Sequence, residues 1–103
     1  MSRRRKPYNF DPDTKLEALR RYDFRCAKCG KHKKECKPKM LEIHHNLPIG
    51  VALDHFPHAV FALTSVENAI PLCQPCHKEV HENLTIEECA TIAQALLGLF
   101  ARD

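Results

Sequence analysis

The chain has no apolar stretch long enough to span a membrane, and none follows the opening Met1-Ser-Arg-Arg-Arg-Lys-Pro to act as a secretion signal. The adjacent arginines run into polar residues, so they do not read as an export signal either. No internal repeat is present, and no low-complexity tract beyond the basic start. Positive charge also nearly disappears after Lys39. Residues 40–103 carry only Lys78 and Arg102 against eight acids, a balance of −6, whereas residues 1–39 carry fourteen Lys and Arg against five acids, a balance of +9. The formal +3 of the whole chain therefore conceals a split between a cationic surface suited to a polyanion and an acidic body. These features lead us to expect a cytoplasmic protein with no membrane partner.

The 103 residues fit one domain with a thin core, in which a metal staple would supply much of the stability. Cysteine is plentiful for a chain of this size, with six residues. In a reducing compartment paired cysteines hold metal more often than each other. Cys26/Cys29 and Cys73/Cys76 are two Cys-x2-Cys pairs, and each pair can offer two sulfurs to one tetrahedral zinc. The 43 intervening residues exceed the usual zinc-ribbon separation, so the ion would fasten two distant parts of the chain. Cys36 and His32 compete for a ligand position; Cys36 and Cys89 are expected to stay free thiols. Four thiolates without a cation would repel one another, and the fold should then fail.

Asp11-Pro12-Asp13 reads as a helix start, with an Asp cap, Pro in the first turn and an acid near the positive dipole end. The helix should end near Tyr22-Asp23. Before it, residues 1–12 form a basic arm whose Tyr8 and Phe10 are expected to dock on the core. Met40 to His45 alternates as a strand, which sends His44 and His45 to opposite faces. Residues 46–67 read as a long connection, with Phe56 to Leu63 apolar enough to pack back on the core. Ala69-Ile-Pro-Leu72 is a second strand, marked as an edge by Pro71. A helix follows over about 74–82, where His77 and His81 stand four apart on one face. Cys76 and His77 lie about 100° apart around the axis, so sulfurs and imidazoles can serve different ions. His44 could complete a three-histidine cluster. Thr85-Ile-Glu-Glu88 is a capping box for a last helix, with Ile86, Cys89, Ala90, Ala93, Leu97 and Phe100 as its apolar stripe. That helix should cover the domain's own core, giving a monomer, or else a weak homodimer. His32, His55 and His58 read as surface residues.

Leu41-Glu-Ile-His44-His45, Glu67-Asn68-Ala-Ile-Pro-Leu-Cys73-Gln-Pro-Cys76-His77 and His81 together resemble the HNH endonuclease family over roughly residues 24–83. The resemblance implies an α+β fold: a small ββα-metal domain over residues 13–83 with a structural zinc on four cysteines, flanked by an N-terminal helix and a C-terminal helix at 84–103. It also implies hydrolysis of DNA phosphodiester bonds to 5′-phosphate and 3′-hydroxyl ends, with RNA as an alternative substrate. By position, His45 would be the general base and Asn68 the residue that holds the catalytic loop. His44, His77 and His81 would hold a catalytic Mg²⁺, Mn²⁺, Ni²⁺ or Zn²⁺.

The family more commonly has Asp at the His44 position, and the exchange shifts preference toward softer ions. The His45-to-Asn68 stretch is also longer than is common. Either Asn68 follows an inserted segment, or Asn46 takes its role. Arg3, Arg4, Arg5 and Lys6 of the arm, Arg25, Lys28 and Lys31 of the knuckle, and Lys78 are the candidate phosphate contacts. Two other readings compete: a non-catalytic zinc module that binds nucleic acid, and an accessory subunit of a phage packaging or restriction machine.

Overall fold

The structure, a computed structural model, describes residues 8–35 and 41–100. Arg3, Arg4, Arg5, Lys6 and Cys36 therefore lie outside the described residues. The architecture is α+β: a two-stranded antiparallel sheet with helices packed around it.

Helix α1 spans Pro12–Arg21, and Asp11 caps it by accepting the Thr14 N–H at 2.7 Å. Thr14 is the main reason the Asp11 carboxyl lies below its ordinary pKa. The exit from α1 is tight. Asp23 and Phe24 both adopt positive φ, a costly conformation for non-glycine residues, and are held by Phe24 N–H donating to Leu19 O at 2.8 Å. This turn delivers the chain into the first cysteine knuckle. There Gly30, at φ +80, closes the loop with its N–H on Cys26 O.

Strand β1 (Glu42–His45) pairs with β2 (Ala69–Leu72) in the register Glu42↔Leu72, His44↔Ile70 and His45↔Ala69. Alternation puts Glu42 and His44 on one face, and Ile43 and His45 on the other. Helix α3 (Gln74–Asn83) follows β2 at once, with Cys73 at its N-cap position.

The connection between the strands is not a loop. It folds into α2 (Ile49–His55) and 3-10 turns at Pro57–Ala62 and Val66–Asn68. These elements build the largest apolar cluster, in which Leu47, Ile49, Ala52, Ala59, Ala62 and Leu63 meet Cys89, Ala93 and Leu96 of α4 (Ile86–Phe100). The capping box at the start of α4 is formed: Glu88 N–H donates to Thr85 Oγ1 at 3.1 Å, and Thr85 N–H donates to Glu88 Oε1 at 3.0 Å.

The stripe read from the sequence needs one correction. Leu96 is buried, while Ile86 and Phe100 are 50% and 44% exposed. The partners of α4 meet its middle, so its two ends stay in water. Cys89 is buried among these apolar groups, and burial pushes its thiol up. It behaves as a small hydrophobe. Among the described residues no helix is long and apolar enough to cross a membrane.

Candidate functional site

Two groups of side chains meet at α3, one of sulfurs and one of imidazoles. The ligand atoms of Cys26, Cys29, Cys73 and Cys76 all lie within 4.8 Å of one another, with Cys29 Sγ 3.6 Å from Cys73 Sγ. The knuckle is tied to the sheet by Ala27 N–H donating to Pro71 O at 2.8 Å, so both pairs are set on one frame.

Burial raises the Cys26 thiol, but backbone N–H groups of Cys29, Cys73 and Lys28 outweigh it and bring the pKa down to about 6. Burial and the neighbouring sulfurs push Cys76 strongly upward, and burial chiefly raises Cys73. The Cys26 thiolate forms readily, whereas Cys73 and Cys76 resist ionisation. A divalent cation resolves that conflict, and four close sulfurs compose a closed site compatible with structural zinc. Among the described residues this is the only group of three or more His, Cys, Asp or Glu drawn together so tightly. His32 is not part of it.

The imidazoles gather around a cavity that none of the four cysteines lines. His44, His45, His77 and His81 line a cavity of about 240 Å³ that opens to solvent, with Ile43, Pro48 and Ile49 as its apolar wall. Ring centroids are 4.9 Å apart for His44 and His77, and 6.0 Å apart for His77 and His81. The set is looser than the sulfur cluster.

His44 is 6% exposed, and its Nε2 is buried without a hydrogen-bond partner. Burial lowers its pKa to about 4, with His77, His81 and His45 adding to the shift, so the ring is neutral at ordinary pH. An orphaned lone pair or N–H of this kind is costly unless something binds it. His77 directs Nδ1 to Glu42 Oε1 at 2.8 Å. A carboxylate on one ring nitrogen fixes the tautomer and leaves Nε2 as a donor atom for a cation. His81 is exposed at the rim.

Glu42 was missed by sequence reasoning. Its only signal was the two-residue offset from His44, which places both on the α3-facing side of β1.

His45 stacks on Phe10, with centroids 4.1 Å apart and planes 15° from parallel, and its Nε2 lies 2.7 Å from Tyr8 O. Tyr8 packs against the large apolar cluster, and Phe10 is buried with Ala18 and Ala69. Both aromatics dock, as the sequence suggested.

Asn68 is wholly buried and tied to the chain just beyond His45. Its Oδ1 accepts Leu47 N–H at 2.7 Å, and Nδ2 donates to Leu47 O at 3.3 Å and Leu63 O at 3.2 Å. Asn46 N–H donates to the Asn68 carbonyl at 2.8 Å. Asn68 thus follows the helical segment and ties its two ends, Leu47 and Leu63, together. Asn68→Ala would leave three backbone groups without these partners. At about 1–3 kcal/mol for each unsatisfied buried group, we expect it to destabilise the protein by about 3–5 kcal/mol. Denaturant titration of the zinc-loaded protein checks this, and a loss below about 1 kcal/mol would contradict the tethering role.

The cationic candidates differ in their surroundings. Lys28 forms an ion pair with Glu79, which raises its pKa. Arg25 contacts Asp23 at 3.7 Å and donates to Gly30 O. Lys31 and Lys78 are exposed, Lys78 next to His77 on α3. His55 and His58 are exposed on either side of Phe56. Compared with known proteins, the chain matches no family model and no curated protein significantly.

Proposed function

We propose that the protein is a metal-dependent endonuclease of the HNH type that hydrolyses phosphodiester bonds in DNA, with the four cysteines holding a structural zinc. The observation that carries this reading is the buried, unpartnered Nε2 of His44 beside a cavity ringed by His77, His81 and His45. A structural histidine would have found a partner, and a surface one would not be buried.

The residues fit a second divalent cation. His44 is held neutral, His77 has its other nitrogen engaged by Glu42, and His81 stands one helical turn further along the same face. Bound there, such an ion supplies Lewis-acid stabilisation of charge on the phosphate and the leaving 3′ oxygen. His45, at the cavity edge, takes a proton from the attacking water. Asn68 holds the turn after His45, so the base keeps its place relative to the other imidazoles. Lys78 and the knuckle cations Arg25, Lys28 and Lys31 contact backbone phosphates, as do Arg3, Arg4, Arg5 and Lys6 of the arm. Binding through these residues weakens steeply as salt rises.

Incubating the purified protein with supercoiled plasmid and Mg²⁺, Mn²⁺, Ni²⁺ or Zn²⁺ in turn tests the reading. Nicked or linear product is expected with at least one ion. Tight binding without cleavage under any ion would instead favour a zinc-stapled binding module, or an accessory subunit of a packaging or restriction machine.

Glu42→Ala is expected to weaken uptake of the second ion about 10- to 100-fold while leaving the cysteine-bound zinc in place. Calorimetric titration of the zinc-loaded variant with Ni²⁺ reads this, and wild-type affinity would remove Glu42 from the site.

A further inference from the structure

The N-terminal segment Tyr8–Phe10 lies outside the strand–strand–helix unit, yet it holds His45 both by a hydrogen bond to the Tyr8 carbonyl and by a stack on the Phe10 ring. We infer that it is a strap that fixes the proton of His45 on Nε2 and sets the plane of the ring, which makes Tyr8 and Phe10 positioning residues for the general base. This inference rests on the nuclease reading above.

The proton assignment follows from elementary chemistry. The Tyr8 carbonyl oxygen can only accept, so at 2.7 Å His45 Nε2 must donate. A neutral imidazole carries one N–H, and the lone pair therefore belongs to Nδ1. In the reaction Nδ1 takes the proton of water. The water oxygen forms the new bond to phosphorus, the P–O3′ bond breaks with its electron pair on O3′, and solvent returns a proton there. The imidazolium that results keeps its Nε2–H on the Tyr8 carbonyl, so the strap also stabilises the charge gained by the base.

Phe10 supplies the orientation. Its ring lies 15° from parallel to the imidazole at 4.1 Å and is 6% exposed, wedged against Ala18 of α1 and Ala69 of β2. A ring pinned on one face by a buried aromatic, and at one nitrogen by a carbonyl, has little freedom left about χ2. Tyr8, packed on the large cluster, anchors the other end of the strap.

Phe10→Leu keeps apolar volume but removes the flat stacking face, whereas Phe10→Tyr keeps that face. With a cleavable oligonucleotide duplex, Phe10→Leu is expected to lower kcat about 10- to 100-fold with little change in KM, and Phe10→Tyr to stay close to wild type. Nitrogen-15 spectra of histidine-labelled wild type should show His45 protonated at Nε2 and bare at Nδ1. They read the strap separately from catalysis. A wild type that cleaves nothing but shows a bare Nδ1, with the Nε2–H protection lost in Phe10→Leu, supports the strap and sinks only the nuclease reading. A His45 protonated at Nδ1, or a Phe10→Leu variant with unchanged kcat and spectrum, overturns the strap.

Discussion

A Cys73→Ser substitution is expected to abolish tight zinc binding and, with it, the folded state of the knuckle, the sheet and α3. Cys73 is 4% exposed and occupies the N-cap position of α3, so its sulfur sits where β2 hands over to the helix. The cluster around it is small: Cys26, Leu72 and Cys73 are its buried members, with Leu41, Ile70, Cys76 and Val80 packed against it. Three of those seven residues are proposed ligands, so little apolar burial remains once the metal is gone. Structural zinc contributes on the order of 10–16 kcal/mol in finger-sized units, which rivals the whole stability of a small domain at about 5–15 kcal/mol. Cys29 Sγ lies 3.6 Å from Cys73 Sγ, and Cys29 should behave alike when replaced. Zinc content and amide dispersion measured on the same sample check the prediction. A Cys73→Ser protein that stays folded without zinc would show that apolar packing alone holds the domain.

Cleavage should fall about 100- to 10,000-fold in His45→Ala, the range a positioned general base contributes. The fold should tolerate the change. His45 is half-buried, and its removal uncovers one face of Phe10, for which we expect a cost of about 1 kcal/mol. His44 Nε2 has no hydrogen-bond partner and His77 Nδ1 bonds Glu42, so neither of these atoms is held by His45. Zinc content, second-ion uptake and duplex affinity should therefore match wild type while product formation disappears. Single-turnover cleavage with a saturating ion is the appropriate assay. Equal rates in the two proteins would reject His45 as the base.

Much of this arrangement is legible in the sequence because it is encoded locally. Asp11-Pro12 and Thr85…Glu88 announce two helix starts through their own caps, and both caps form. The alternation around Glu42–His45 and the run Ala69–Leu72 give the two strands. The two-residue spacing of each cysteine pair foretells the cluster.

What escapes is set by tertiary contacts. Helix α2 has Pro48 at its N-cap without a side-chain cap hydrogen bond, so its helicity owes more to burying Ile49 and Ala52 than to any local signal. The face of α4 shifts to Leu96 for the same reason: α2 and Pro57–Ala62 decide where it is covered. The carboxylate of Glu42 finds His77 thirty-five positions away, and in sequence it looks like an ordinary solvated charge. The reach of Asn68 to Leu63 likewise depends on the helical insertion folding back.

Cobalt titration of the metal-free protein tests most directly the claim that sulfur and imidazole ligands form separate cages on one short helix. Co²⁺ bound to thiolates absorbs intensely, and nitrogen-bound Co²⁺ does not. The account predicts a first equivalent with the bands of a four-sulfur site, then a weaker second equivalent without thiolate bands that disappears in His81→Ala. A first ion with a mixed sulfur and nitrogen shell, or no second ion at all, would contradict it.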